Sequence, residues 1–252
     1  MRIPLYLLLL TVFYSCSENR TNFTVEVSVD GGSSMLYLAK RTINNTFVVD
    51  SAMPGKSGIY SLKGFADQPD FYVLYQSPRN YINLIIHPGD DFKILTKSKE
   101  FDRNYLVEGS KDSRLIQKLV TAQIRTLEKI TELSDRYEAI KGSPDFLTQK
   151  SDIDSSYDRV FEDHRKFSLE LINNNPESLA GLMALYQQLG RNQPVFDYHK
   201  DFAVYEKVDS SLAARYPDSE AVIDLNRKVT ELRDVLKLEK GSQAPDIILP
   251  NA

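Results

Sequence analysis

The stretch Phe23-Thr24-Val25-Glu26-Val27-Ser28-Val29-Asp30-Gly31-Gly32 decides how this chain begins to fold. Phe23, Val25, Val27 and Val29 alternate strictly with polar residues, the period of a strand with one face buried. Asp30-Gly31-Gly32 then supplies turn chemistry before the apolar run from Met35 to Lys40, so a hairpin is expected there. Working outward, further short runs fall at Thr46 to Asp50, Ile59 to Gly64, Phe71 to Tyr75, Tyr81 to Ile86, Phe92 to Thr96 and Tyr105 to Glu108. No helical pattern separates them, which predicts an antiparallel β-sandwich or open barrel over residues 21–109. His87-Pro88-Gly89-Asp90 reads as a turn, because Pro88 lacks a donor and Gly89 tolerates positive φ.

At Lys111 the period changes. Ile116, Leu119, Val120, Ile124, Leu127, Ile130, Leu133, Tyr137 and Ile140 step mostly by three and four, so a long amphipathic helix is expected up to Gly142. Ile153, Tyr157, Val160, His164, Phe167 and Leu171 form a second stripe. Asn175-Pro176 predicts the start of a third helix closing at Gly190. A short helix is expected between Phe196 and Tyr216, ended by Pro217, and a last one from about Asp218 to Glu239. Residues 110–240 therefore form a helical region of four or five helices, and the fold class is α+β.

Composition narrows function more than it assigns it. Charged residues make up 26% and hydrophobic ones 42%, ordinary for a globular chain, and the formal net charge is -4. No basic excess exists to neutralise phosphates, so a nucleic-acid partner is not expected. The chain has one Cys, which excludes an internal disulfide and a Cys-rich zinc site. Glycine-rich phosphate loops and zinc-protease motifs are absent, so no cofactor, metal site or catalytic residue is assigned. His87, His164 and His199 have no ligand partner at a recognisable spacing, and His164 reads as a packed histidine on a helix boundary. Asp90-Asp91 lacks the alternating carboxylates of a calcium loop. The 14 Tyr and 12 Phe can line a carbohydrate groove, although periodicity already places many of them in strands and helices.

Met1 to Cys16 read as an address. Arg2 precedes an apolar run from Ile3 to Tyr14, too short for a bilayer-spanning helix of roughly 20 residues. The Cys16 that follows Ser15 resembles the lipobox of bacterial lipoproteins, with Phe13, Tyr14 and Ser15 where the usual pattern has Leu and two small residues. The resemblance implies a signal peptide over residues 1–15, a lipidated linker over 16–20, and attachment of the chain to a lipid membrane through acylated Cys16. An ordinary signal peptide with an incidental Cys is the other reading. Asp50-Ser51-Ala52 resembles the short acceptor motif for protein O-glycosylation in Bacteroidetes, a hint of an exported surface loop.

The tail Gly241-Ser242-Gln243-Ala244-Pro245-Asp246-Ile247-Ile248-Leu249-Pro250 resembles the lead-in to the thioredoxin-like domain of the AhpC/TSA peroxiredoxin and TlpA-like disulfide reductase families. With the lipobox and the order of a β region and a helical region, the layout is similar to the N-terminal part of Bacteroidetes envelope TlpA-like lipoproteins. The resemblance implies that residues 241–252 open a truncated thioredoxin-like domain. It further implies that the chain is the anchored scaffold or regulatory region of a thiol-disulfide oxidoreductase in the outer membrane or periplasm, with an envelope protein as a possible partner. Such chemistry needs a thiolate, and Cys16 is committed to lipid, so this chain alone is not expected to be the enzyme. The alternative is a surface lipoprotein that binds a glycan, a peptide or a protein partner.

Overall fold

The computed structural model describes residues 20–237, and the α+β class holds. Eight strands come first: β1 (Phe23–Asp30), β2 (Leu36–Arg41), β3 (Thr46–Ala52), β4 (Ile59–Gly64), β5 (Asp70–Ser77), β6 (Asn80–Ile86), β7 (Asp91–Lys97) and β8 (Leu106–Glu108). Five helices follow: α1 (Lys111–Ile140), α2 (Phe146–Asn174), α3 (Ala180–Leu185), α4 (Phe202–Arg215) and α5 (Glu220–Lys237). The strands form two sheets, ordered β4-β1-β7-β8 and β3-β2-β5-β6.

The alternation in β1 has the expected outcome. Phe23, Val25, Val27 and Val29 are buried against Leu62 of β4, Phe92 and Ile94 of β7, and Leu36, Leu38, Tyr72, Leu74, Ile82 and Leu84 of the other sheet. Each such side chain contributes roughly 1.5–3 kcal/mol of apolar burial, so the alternation specifies the register. The hairpin expected at Asp30-Gly31-Gly32 is not formed. The chain does turn, with the Gly32 amide donating to the Val29 carbonyl at 3.0 Å, but β1 and β2 lie in different sheets. Both sides of β1 are already occupied, by β4 antiparallel and by β7 parallel, so no edge remains for β2. The parallel β1–β7 pair is an exception in sheets that are otherwise antiparallel.

The turn at His87 to Asp90 forms as read. Gly89 has φ +86°, and the Asp90 amide donates to the His87 carbonyl at 3.1 Å. Ser110 caps α1 by accepting the Ser113 amide at 3.2 Å.

The third helix is shorter than its sequence suggested. Asn175-Pro176 closes α2 instead of opening α3: the Asn175 side-chain amide donates to the Leu171 carbonyl at 3.0 Å, and Ser178 N–H returns to Asn175 O at 3.1 Å. The helix ends at Leu185, well before Gly190, because the chain turns back on itself there. Gln188 bridges Pro194, and the Val195 amide donates to the Gln187 carbonyl at 2.9 Å.

One helix face joins the two regions. Alternation along β6 sends Leu84 and Ile86 into the sandwich while Ile85 enters the helical core beside Ile116, Leu119 and Leu179. Edge strand β6 has an outward-facing backbone N–H and C=O at Ile85. The Ser113 hydroxyl accepts from that N–H at 3.1 Å and donates to that C=O at 2.8 Å. One turn later, Gln117 does the same for the edge strand of the other sheet, accepting from Val107 N–H at 3.2 Å and donating to the Tyr105 carbonyl. Residues four apart share a helix face, so a single stripe of α1 completes both sheets where each would otherwise leave an open edge.

Candidate functional site

The outer face of the β3-β2-β5-β6 sheet is covered by helices at one end and open at the other. Tyr37, Tyr75 and Tyr81 stand in one cross-strand row on β2, β5 and β6, with Ser51 opposite Tyr37 on β3. The Tyr37 and Tyr75 rings stack, with centroids 5.3 Å apart. A slot of about 360 Å³ is lined by Tyr75, Tyr81 and Val73. Arg41 and Thr46 close one end of it, and the Ser77-Pro78 turn lines the other. These positions share a face because strand residues alternate by two: Tyr37 and Arg41 on β2, Val73 and Tyr75 on β5. A wider cleft of about 650 Å³ begins at Arg41 and Tyr81 and runs to Tyr186 and Gln188 in the helical region. Asp70 in that cleft is paired with Lys40 at 2.8 Å. The tyrosines of this row are therefore not core residues, although most other aromatic strand positions are.

A second cluster lies where the sandwich meets the helices. His87 Nε2 sits 2.8 Å from Asp112 Oδ2, and Ser178 donates its hydroxyl to Asp112 Oδ1 at 2.8 Å. The hydrogen bond to Asp112 raises the His87 pKa above its ordinary value, against a smaller opposing effect of burial. Burial pushes the Asp112 carboxyl up, but the bonds from His87 and Ser178 outweigh it and hold the group below the usual carboxylate range. A cleft of about 530 Å³ at this junction is also lined by Asp90, Arg215 and Tyr216. Here the carboxylate stands in the middle. The serine hydroxyl bonds to it and not to the imidazole, so no base is placed to activate a serine nucleophile. The cluster ties the turn after β6 to the first turn of α1 and to the turn after α2.

His164 is packed, as its place on the stripe of α2 suggested. Its Nε2 lies 3.0 Å from Gln187 Oε1 and its Nδ1 lies 3.1 Å from the Thr126 hydroxyl. The amide oxygen can only accept, so Nε2 carries the proton and Nδ1 accepts from Thr126. Burial lowers the His164 pKa, which keeps the ring neutral. His199 is exposed beside Tyr198. Among the described residues, no group of three or more His, Cys, Asp or Glu is placed to hold a metal ion. No helix among them is long and apolar enough to cross a membrane.

Cys16, the predicted lipid attachment site, lies outside the described residues, as do the signal peptide over 1–15 and the thioredoxin-like lead-in over 241–252. The Asp50-Ser51-Ala52 triplet falls on edge strand β3 and not in a loop. Asp50 there accepts the Ser51 and Lys63 amides, each at 2.8 Å. Sequence spacing gave no sign of the His87–Asp112 pair, whose members are 25 positions apart and meet only because β7, β8 and the cap of α1 lie between them.

Residues 23–116 match the domain of unknown function DUF4369. The matched segment runs past the last strand into α1 and takes in Asp112, Ser113 and Ile116, the part of the helix that seals β6. No curated protein and no solved structure matches the chain.

Proposed function

We propose that this chain is the membrane-anchored N-terminal scaffold of a cell-envelope thiol-disulfide oxidoreductase. The observation that carries the reading is the Gly241 to Pro250 segment, which follows α5 closely and resembles the lead-in to a thioredoxin-like domain. Cys16, the one thiol in the chain, stands directly after a short apolar leader, in the place of a lipid-bearing residue. The described residues supply no redox group. What they offer is a braced body, with α1 bonded to both sheets and the helices sharing Ile85 with the β region.

Two measurements test this reading. Labelled palmitate is expected to enter the exported protein and to be lost in Cys16→Ser. The reading frame is expected to continue beyond Ala252 and to encode a CxxC pair within about a hundred residues, the span of one more domain. An unlabelled product, or a stop codon after Ala252, refutes the proposal. This chain by itself is expected to reduce insulin no faster than buffer. The open tyrosine slot favours a second reading, a surface lipoprotein that binds a ligand through its β region.

A further inference from the structure

We propose that the slot between Tyr75 and Tyr81 binds an acidic saccharide, a chain of pyranose rings bearing carboxylates. The inference rests on the binding-module reading and not on the redox assignment.

The slot is apolar along its walls and floor, with two phenol rings and Val73. Its one charged lining group is Arg41, and Arg79 stands in the β5–β6 turn two residues before Tyr81. Among the described residues neither arginine has an ion-pair partner, in contrast to Asp70 nearby, which Lys40 neutralises. Asp102 and Glu220 line the wider cleft, but no carboxylate lines the slot itself. An exposed, unpaired guanidinium beside aromatic rings offers a planar fork that matches a carboxylate. The flat C–H face of a pyranose packs on a ring wall while its hydroxyls meet the Thr46 and Ser77 side chains.

A polypeptide fits this site less well. Strands β2 and β5 are paired on both sides, so the floor has no free backbone edge, and a peptide strand could add only outside the slot, along edge strands β3 or β6. The one charged group lining the slot, Arg41, is a donor only and is matched by a carboxylate. An acceptor-rich ligand with carboxylate, ring and hydroxyl oxygens answers that arrangement. The slot volume of about 360 Å³ lies within the range of small-molecule sites and holds one or two sugar rings, with the wider cleft continuing from it.

The test uses the full chain in calorimetric titrations with tetragalacturonate, and in affinity electrophoresis through gels containing alginate or hyaluronan. Neutral cellotetraose and a tetraglutamate peptide are the comparison probes. Binding of at least one acidic saccharide is expected, weakening as salt rises. Arg41→Ala is expected to reduce affinity roughly tenfold, the loss of one charge-assisted contact, and Tyr81→Ala to reduce it comparably with an unchanged circular dichroism spectrum. Equal binding of cellotetraose, or stronger binding of tetraglutamate, overturns the ligand class while leaving a binding module in place. No binding by any probe overturns both. Saccharide binding that survives Arg41→Ala and Tyr81→Ala unchanged removes the site from this slot.

Discussion

Replacing Ser113 with Ala is expected to loosen the helices from the sandwich. The hydroxyl is fully buried and serves two backbone groups of Ile85, the N–H at 3.1 Å and the C=O at 2.8 Å. Alanine removes one oxygen and leaves both groups buried without a partner. A buried unsatisfied polar group costs roughly 1–3 kcal/mol, and no large cavity opens to add to it. The gain in helix propensity from Ser to Ala returns only a few tenths. The net expectation is a loss of about 3 kcal/mol, a large share of the roughly 5–15 kcal/mol of a typical domain. Urea unfolding followed by circular dichroism reads this as a lower midpoint at unchanged slope. Hydrogen exchange should show the Ile85 amide accelerating more than its neighbours. Ser155→Ala, at an exposed position of α2, is the control, with an expected change below about 0.5 kcal/mol. If Ser113→Ala also costs less than that and Ile85 exchange stays slow, another group satisfies β6, and the reading that Ser113 of α1 seals that edge fails.

Three further outcomes are expected. The His87–Asp112 pair stabilises the junction fully above the unfolded Asp value near 3.8 and below the unfolded His value near 6.5. Its contribution fades as pH rises through the raised His87 pKa, and again as pH falls through the lowered Asp112 pKa. The gap in urea midpoint between the wild type and Asp112→Asn should therefore be widest between the two unfolded values, near pH 5–6, and narrow as pH rises through the raised His87 pKa. His164 acts with the opposite sign: its pKa is lowered on folding, so the unfolded state takes the proton first and stability falls as pH drops below about 6.5. In His164→Gln that acid-side loss should shrink, read from thermal midpoints between pH 7 and 5. Gly64→Ala would place a methyl group into Phe23 Cζ and Val49 Cγ1, and a loss of roughly 1–3 kcal/mol is expected in chemical denaturation.

Local pattern made the strands and the main helices legible. The alternation in β1 and the three-and-four stepping from Ile116 to Ile140 are both statements about which face is apolar; the β1 face is buried along its length, whereas on α1 Ile116, Leu119 and Leu133 are buried, most of the stripe is half-buried and Leu127 is exposed. What the turns would connect was not legible. Asp30-Gly31-Gly32 has hairpin composition yet leads to the other sheet, because pairing depends on which strand edges are free and not on the turn alone. Asn175-Pro176 carries a helix-start signature, but the Leu171 carbonyl at the end of α2 takes up the Asn175 side chain.

The same division holds for the candidate sites. Cys16 and the Gly241 to Pro250 segment are chemical words in consecutive residues, readable without any coordinates. Tyr37, Tyr75 and Tyr81 lie on three strands, and nothing in their spacing says that they share a row or that Arg41 faces them. The sequence by itself determined a β region followed by helices, one thiol, and no phosphate-binding or metal-binding motif. Tertiary structure decided which edges α1 seals, which histidine meets a carboxylate, and which end of the sheet stays open. Those outcomes depend on contacts between residues far apart in the chain, and the folded core sets their distances.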